Sequence, residues 1–393
     1  MWKNSISSKK TLQEVKSIAF DMRVSYTLVL VITGAITALY CALLLRIWWR
    51  MGPTERKTQA FNIFILIISL GFAQYFFAGH LYNMSQRLPV LIGTIDPLIP
   101  LTLSLTVIPG AVAIFLRVIK KKTPERLEYL RAITKKHDTT PRNIIRHDWQ
   151  RKISHVIQFL AIFAIDFIGF GILSSLFLKN WNPSKLRLEF WGLGTGNYIG
   201  FSWTWDGWAY RKSYISAFRL VFFEFFYCLT LILLTSELCR HSHSWRYVFD
   251  KVVSKNLRPE EQSRIAAYAL FPAGYMFASI FLPYFAVVGL LAGGCLGDLA
   301  ASQVGLRWGR HHFPHSRKTW EGLVAGGVVT FFASLPFIGI TWALIYFVLF
   351  TIVDFCTEKP VPISDNLLLP ITGIFVFNLC SSLGIAYFPL IVG

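Results

Sequence analysis

Long apolar runs recur along this chain, at about 24–46, 59–82, 92–117, 155–178 and 214–236, and again at about 265–283, 284–302, 322–337, 339–355 and 367–390. Roughly 20 consecutive apolar residues cross a bilayer, whereas a buried core helix is usually shorter. The pattern therefore predicts an all-α fold, a polytopic integral membrane helical bundle of about 9–10 transmembrane helices. Only 15% of the residues are charged and 54% are hydrophobic, where a soluble domain carries about 25% charge. The short alternating segments of a membrane β-barrel are absent from the sequence.

The formal net charge is +18. In a membrane protein such a surplus sits mainly in cytoplasmic loops. It favours anionic lipid or an anionic substrate, and no nucleic-acid partner is expected. Residues 117–152 hold 12 Lys/Arg against 4 Asp/Glu, which places that loop in the cytoplasm. Counting spans outward puts 47–58, 237–264, 303–321 and 356–366 on the same side. The count leaves the N-terminus on the far side in spite of its basic residues, and a re-entrant or additional span in the first third would remove that conflict. Residues 1–23 read as a basic tail or surface helix, 24–120 as an N-terminal transmembrane region and 121–154 as the basic loop. No cleavable signal peptide is expected, because the polar, basic start is followed by too long an apolar run.

The six cysteines are scattered in or beside apolar runs with no CxxC pair, and read as reduced packing residues. His311, His312 and His315 lack a nearby fourth ligand for zinc. Gly192, Gly194 and Gly196 resemble part of a nucleotide fingerprint, but neither the strand nor the helix it requires flanks them. The Trp and Tyr residues around them fit an interfacial belt.

Charge beside a membrane span is costly, so it is usually paired or functional. Five polar junctions stand out. Arg151, Lys152 and His155 open a span, with Arg151 and His155 on one helical face; they suit either a phosphate clamp or positive-inside anchoring. Glu237, Arg240, Arg258 and Glu261 lie in the next loop on that side. Gly297-Asp298, with Ser302 and two alanines, ends an apolar run with a carboxylate and small neighbours. Mg²⁺ carried on a triphosphate needs only one or two such carboxylates. Lys318-Thr319-Trp320-Glu321-Gly322 offers a point charge for phosphate, a carboxylate for metal or base, and a helix cap at Thr319 or at Ser316 just before it. Glu358, then Asp365-Asn366, puts carboxylates and an amide before the last span, where Asp365 or Asn366 also suits an N-cap. The chain has 21 acidic residues, and five of them (Glu237, Asp298, Glu321, Glu358 and Asp365) stand at these junctions. The span count puts all five junctions on one face, so they are expected to build one site.

These residues resemble the CTP-dependent polyprenol kinases, the group of dolichol kinase, phytol kinase and the CTP-using diacylglycerol kinase. The likeness lies in Gly297-Asp298 through Ser302, Gly305 and Gly309, Lys318-Thr-Trp-Glu-Gly322, Glu358, Asp365-Asn366 and Pro370. Arg151-Lys152 with His155, and Arg258 with Glu261, look like two further stretches of the group. Glu237 stands where several members carry Asp. The resemblance covers about 150–390 and implies that 155–393 is the catalytic domain. It implies phosphoryl transfer from CTP, with Mg²⁺ or another divalent cation, to the hydroxyl of a membrane-embedded isoprenoid alcohol, dolichol before phytol or diacylglycerol. Asp298, Lys318, Glu321 and Asp365 are the expected catalytic residues, and Asp298, Glu321 and Glu358 the expected metal ligands. Phosphate and nucleotide contacts are expected from Gly297, Ser302, Arg307, Arg310, Lys318, Thr319, Asn366, Arg151, Lys152, His155 and Arg258. The site is expected on the cytoplasmic face, in the endoplasmic reticulum of a eukaryote or the plasma membrane of a prokaryote.

Two other functions compete. A cytidylyltransferase would form a CDP-lipid, but the KD…HGG…DRxD ending associated with that chemistry is absent. A lipid transporter or flippase would carry repeats and mid-span polar groups, whereas the charges here gather at span ends and no repeat is visible.

Overall fold

The computed structural model describes residues 27, 30–91, 145–146, 148–153, 155–164, 217–241, 257, 261, 264–314, 318–357 and 363–385, with side chains of the second helix described to residue 76. Helices α1 (Leu30–Arg50), α2 (Pro53–Leu91), α4 (Ala217–His241), α5 (Ala267–Phe281), α6 (Tyr284–Trp308), α7 (Trp320–Cys356) and α8 (Asp365–Ser382) follow in order. Residues 148–153 and 155–164 are helical and form α3. Six of these helices are long and apolar enough to cross a membrane, and α5 is a shorter apolar helix. The chain is a polytopic helical membrane protein, and the described residues contain no β-strand beyond one isolated bridge. The expected span at 92–117, the loop 179–213 and the tail 1–23 lie outside the described residues.

The sequence reading splits 322–355 into two spans, and the structure shows how. Helix α7 is nominally continuous over 37 residues, about 55 Å if straight and far beyond a ~30 Å hydrocarbon core. Gly339 interrupts it with φ 74°, a left-handed conformation that glycine adopts without penalty. The halves fold back as a hairpin. A Cβ on Gly326 would meet Phe350, and one on Gly327 would meet Phe347 and Thr351. At the open end Trp320 and Phe355 approach to 5.9 Å between ring centroids.

The first half of α7 lies along α6 through a seam of small residues. Gly289, Gly293, Gly297, Ala301 and Gly305 recur every fourth position on α6, and Gly322, Gly326, Thr330 and Ser334 recur likewise on α7. Added Cβ atoms show the register: Gly289 faces Ile338, Gly293 faces Thr330 and Gly305 faces Thr319. Lipid tails are as apolar as leucine, so close backbone approach rather than hydrophobic burial drives such pairing. The Thr330 hydroxyl donates to the Gly293 carbonyl at 3.0 Å across the seam.

Helix α5 packs on α2, α4 and α8. Thr37 and Tyr40 of α1 bond to Tyr227 and Thr235 of α4, and Gln74 of α2 donates to Thr33 of α1 at 3.1 Å. The N-terminal helices are therefore packed into the same bundle as the rest.

Candidate active site

Contacts join described residues of several polar junctions. Arg151 on α3 reaches Glu261 at 3.9 Å. Arg240 on α4 bonds Glu237 at 2.5 Å and donates to the carbonyl of Arg264. Glu237 is fully buried and accepts from the Ala266 amide at 3.0 Å and from the Tyr268 hydroxyl. It ties the end of α4 to the start of α5. Burial opposes the charge on Arg151; Glu261, Asp148 and Asp298 outweigh it and hold the guanidinium above its ordinary pKa.

A cleft is lined by His155 of α3, Phe271 and Tyr275 of α5, Asp298 of α6, Asp354 of α7, and Asp365 and Asn366 of α8, with Phe350, Val353 and Leu369 supplying apolar wall. Three carboxylates from three helices thus share one concavity. Two of them already hold a lysine. The buried Lys152 ammonium donates to Asp298 Oδ2. Lys318 Nζ donates to Asp354 Oδ1 at 2.8 Å, to the Asp354 carbonyl at 2.8 Å and to Thr357 Oγ1 at 2.6 Å. His155 is 3% exposed and stacks on Phe271 at 4.3 Å between centroids, so packing fixes its ring plane.

Local chemistry places each group. Lys318 stands on a short loop closed by Phe313 N–H to the Lys318 carbonyl, 3.0 Å, and Trp320 N–H to the His311 carbonyl, 2.9 Å. Thr319 caps α7, as expected, accepting from Gly322 N–H at 3.2 Å. Asp365 opens α8 and accepts from the Asn366 amide at 2.9 Å. The cap of α8 is Ser364, one residue before the expected position.

The structure also corrects the expected place of Asp298. Asp298 does not end its helix; α6 continues to Trp308, because the seam of small residues runs on through Ala301 and Gly305. Its carboxylate therefore enters the cleft from a helix flank. Other expected residues stand apart from the cleft lining. Glu321 pairs with His311 Nδ1 at 2.6 Å. Arg307 and Arg310 are exposed, and the Ser302 hydroxyl donates to Leu299 of its own helix. Gly297 packs in the seam against Thr330 and Gly326. Arg258 and Glu358 lie outside the described residues. Sequence reasoning missed Asp354. Its signal is a lone carboxylate near the close of an apolar run, TIVDFC, which by composition reads as part of the span.

Among the described residues no group of three His, Cys, Asp or Glu side chains stands ready to hold a metal ion. A divalent cation that arrives on a triphosphate takes most of its ligands from phosphate and water. Asp298, Asp354 and Asp365 are the hard oxygen donors that line the cleft, and lysines hold the first two.

A stretch of 75 residues, 19% of this chain, is 37% identical to phytol kinase of Synechocystis sp. and spans 32% of that protein. The chain thus matches about a third of this relative's length. No protein-family model matches the chain, and no solved structure matches it.

Proposed function

We propose that the chain is a membrane-embedded lipid kinase that transfers the γ-phosphoryl group of CTP to the hydroxyl of an isoprenoid alcohol, dolichol in the first instance. The observation that carries this reading is the cleft: three carboxylates and two lysines from five segments, set against an apolar wall in a membrane bundle. Phosphoryl transfer needs positioning and charge neutralisation more than covalent help, and this is the equipment for both. The local likeness to phytol kinase supports the acceptor class. CTP as donor rests on the resemblance of 297–322 and 358–370 to the CTP-dependent polyprenol kinases.

In this mechanism the alcohol oxygen forms a bond to the γ-phosphorus, the bond from that phosphorus to the β–γ bridging oxygen breaks, and CDP leaves. Asp365 orients the hydroxyl and takes its proton. Lys318 moves from Asp354 to the phosphate oxygens, and Lys152 keeps Asp298 in place. Asp298 and Asp354 would hold Mg²⁺, which would neutralise charge on the triphosphate. Arg307 and Arg310 draw the nucleotide in from solution, and Phe271, Phe350, Val353 and Leu369 receive the first isoprene units. The active face is cytoplasmic in this reading.

The likeness to phytol kinase favours a second acceptor, phytol, by the same chemistry. The product distinguishes the kinase from a cytidylyltransferase: CDP released in step with a lipid monophosphate supports it, and pyrophosphate released with a CDP-lipid overturns it.

A further inference from the structure

The N-terminal helices lie outside the stretch that resembles a kinase, yet one of them bonds the residue that precedes Asp365 of the cleft. Asn62 sits in the apolar run of α2, FNIFILIISL, and is 3% exposed. A buried amide in a membrane span is costly unless it is bonded. Its Oδ1 accepts the backbone N–H of Ser364 at 3.2 Å. Ser364 is the N-cap of α8 and makes no side-chain cap bond. Its hydroxyl instead donates to Asp365 Oδ1 at 3.4 Å, and the Asn366 amide donates to the same oxygen at 2.9 Å. Asn62 thus holds the backbone immediately before the carboxylate that faces the cleft. The opposite side of this turn is fixed by α5, where a Cβ on Gly274 would stand 2.5 Å from the Asn366 carbonyl and 2.9 Å from Pro370 Cγ.

We propose that Asn62 is a positioning residue, which through Ser364 sets Asp365 and Asn366 in the cleft, so that α2 is part of the catalytic unit. The catalytic half of this statement rests on the kinase reading above. A one-ångström error in a reacting group costs orders of magnitude in rate, and the Ser364 side chain makes no cap bond to α8. Substrate binding draws on many contacts, so loss of the Asn62 bond lowers kcat and leaves KM nearly unchanged.

The test uses the full chain in lipid nanodiscs, with Asn62→Leu, Asn62→Ser, Asn62→Asp and the control Gln59→Leu. Gln59 is also buried on α2, and its Oε1 has no hydrogen-bond partner among the described residues. Two readouts are taken: dolichol phosphorylation from CTP, and amide hydrogen exchange across 363–372. Asn62→Leu is expected to lower kcat about tenfold with KM within about twofold, and to speed exchange at Ser364–Leu368 roughly tenfold. Asn62→Asp keeps an acceptor oxygen and restores both, and Gln59→Leu moves neither. If Asn62→Leu fails to insert, Asn62→Ser, whose oxygen is too short to reach, carries the same expectation. Wild-type exchange or wild-type kcat in both acceptor-lacking variants overturns the proposal, as does an equal loss in Gln59→Leu. A wild-type chain that phosphorylates no alcohol overturns the kinase reading and the catalytic half with it, while the exchange data still decide whether Asn62 anchors α8.

Discussion

Lys318 Nζ donates to Asp354 Oδ1 at 2.8 Å, so the residue just before α7 closes on a carboxylate at that helix's far end. The contact exists because Gly339 folds the helix back on itself. It brings a lysine recognisable in the sequence to a carboxylate that is not.

This pair predicts a non-additive mutant cycle. The side chains are 21% and 13% exposed, so removal of one partner leaves a largely buried charge behind. Lys318→Ala or Asp354→Asn is expected to cost about 1–3 kcal/mol in stability, and the double variant less than the sum. Thermal unfolding in detergent measures the stabilities. Kinase activity should fall by about 10²-fold or more in each single variant.

The small-residue seam predicts a contrast between glycines. A Cβ at Gly322 would stand 2.6 Å from the Ala301 carbonyl, backbone that cannot move aside, whereas one at Gly71 meets nothing within 4 Å. Gly322→Ala is expected to destabilise by about 1–3 kcal/mol. Gly71→Ala should be neutral or stabilising by up to about 1 kcal/mol. The difference in melting temperature between the two variants checks this.

Glu237 predicts a stability effect without a specific catalytic one. It is fully buried and serves Arg240, Tyr268 and the Ala266 amide. Glu237→Leu strands the Arg240 guanidinium and should cost about 3–5 kcal/mol. Expression and unfolding report it, and the fraction that folds should keep its KM for CTP.

In the kinase reading Arg307 and Arg310, exposed at the end of α6, serve nucleotide capture, which salt screens. Replacing both with Gln should raise KM for CTP severalfold at low ionic strength and little at high ionic strength, with kcat unchanged. Initial rates at two salt concentrations decide it.

Much of this architecture was legible in the sequence. The spans beginning near 59, 214, 284 and 367 appear as α2, α4, α6 and α8, because apolar length is the dominant constraint in a bilayer, and the one near 265 appears as the shorter apolar helix α5. The break between the expected spans 322–337 and 339–355 falls at Gly339, whose φ of 74° makes the hairpin. Of the five junctions expected to build one site, Lys152 reaches Asp298 and Asp365 lines the same cleft, whereas Glu237 and Glu321 stand outside its lining. What was not legible depended on helix register. Glu321 and Lys318 are three residues apart, yet one pairs with His311 and the other with Asp354. Asp354 lies inside an apolar run, and Asn62 is a single amide in another. Neither can be told from a tolerated polar residue until its partner is seen.

The kinase account is tested most directly with the purified chain in nanodiscs, Mg²⁺ and γ-labelled CTP or ATP, offered dolichol, phytol, farnesol and diacylglycerol in turn. The account predicts label from CTP in an isoprenyl monophosphate, dolichyl phosphate foremost, lost in Asp298→Asn and Lys318→Ala variants that remain folded. Label in no lipid, or full activity in both variants, would contradict it.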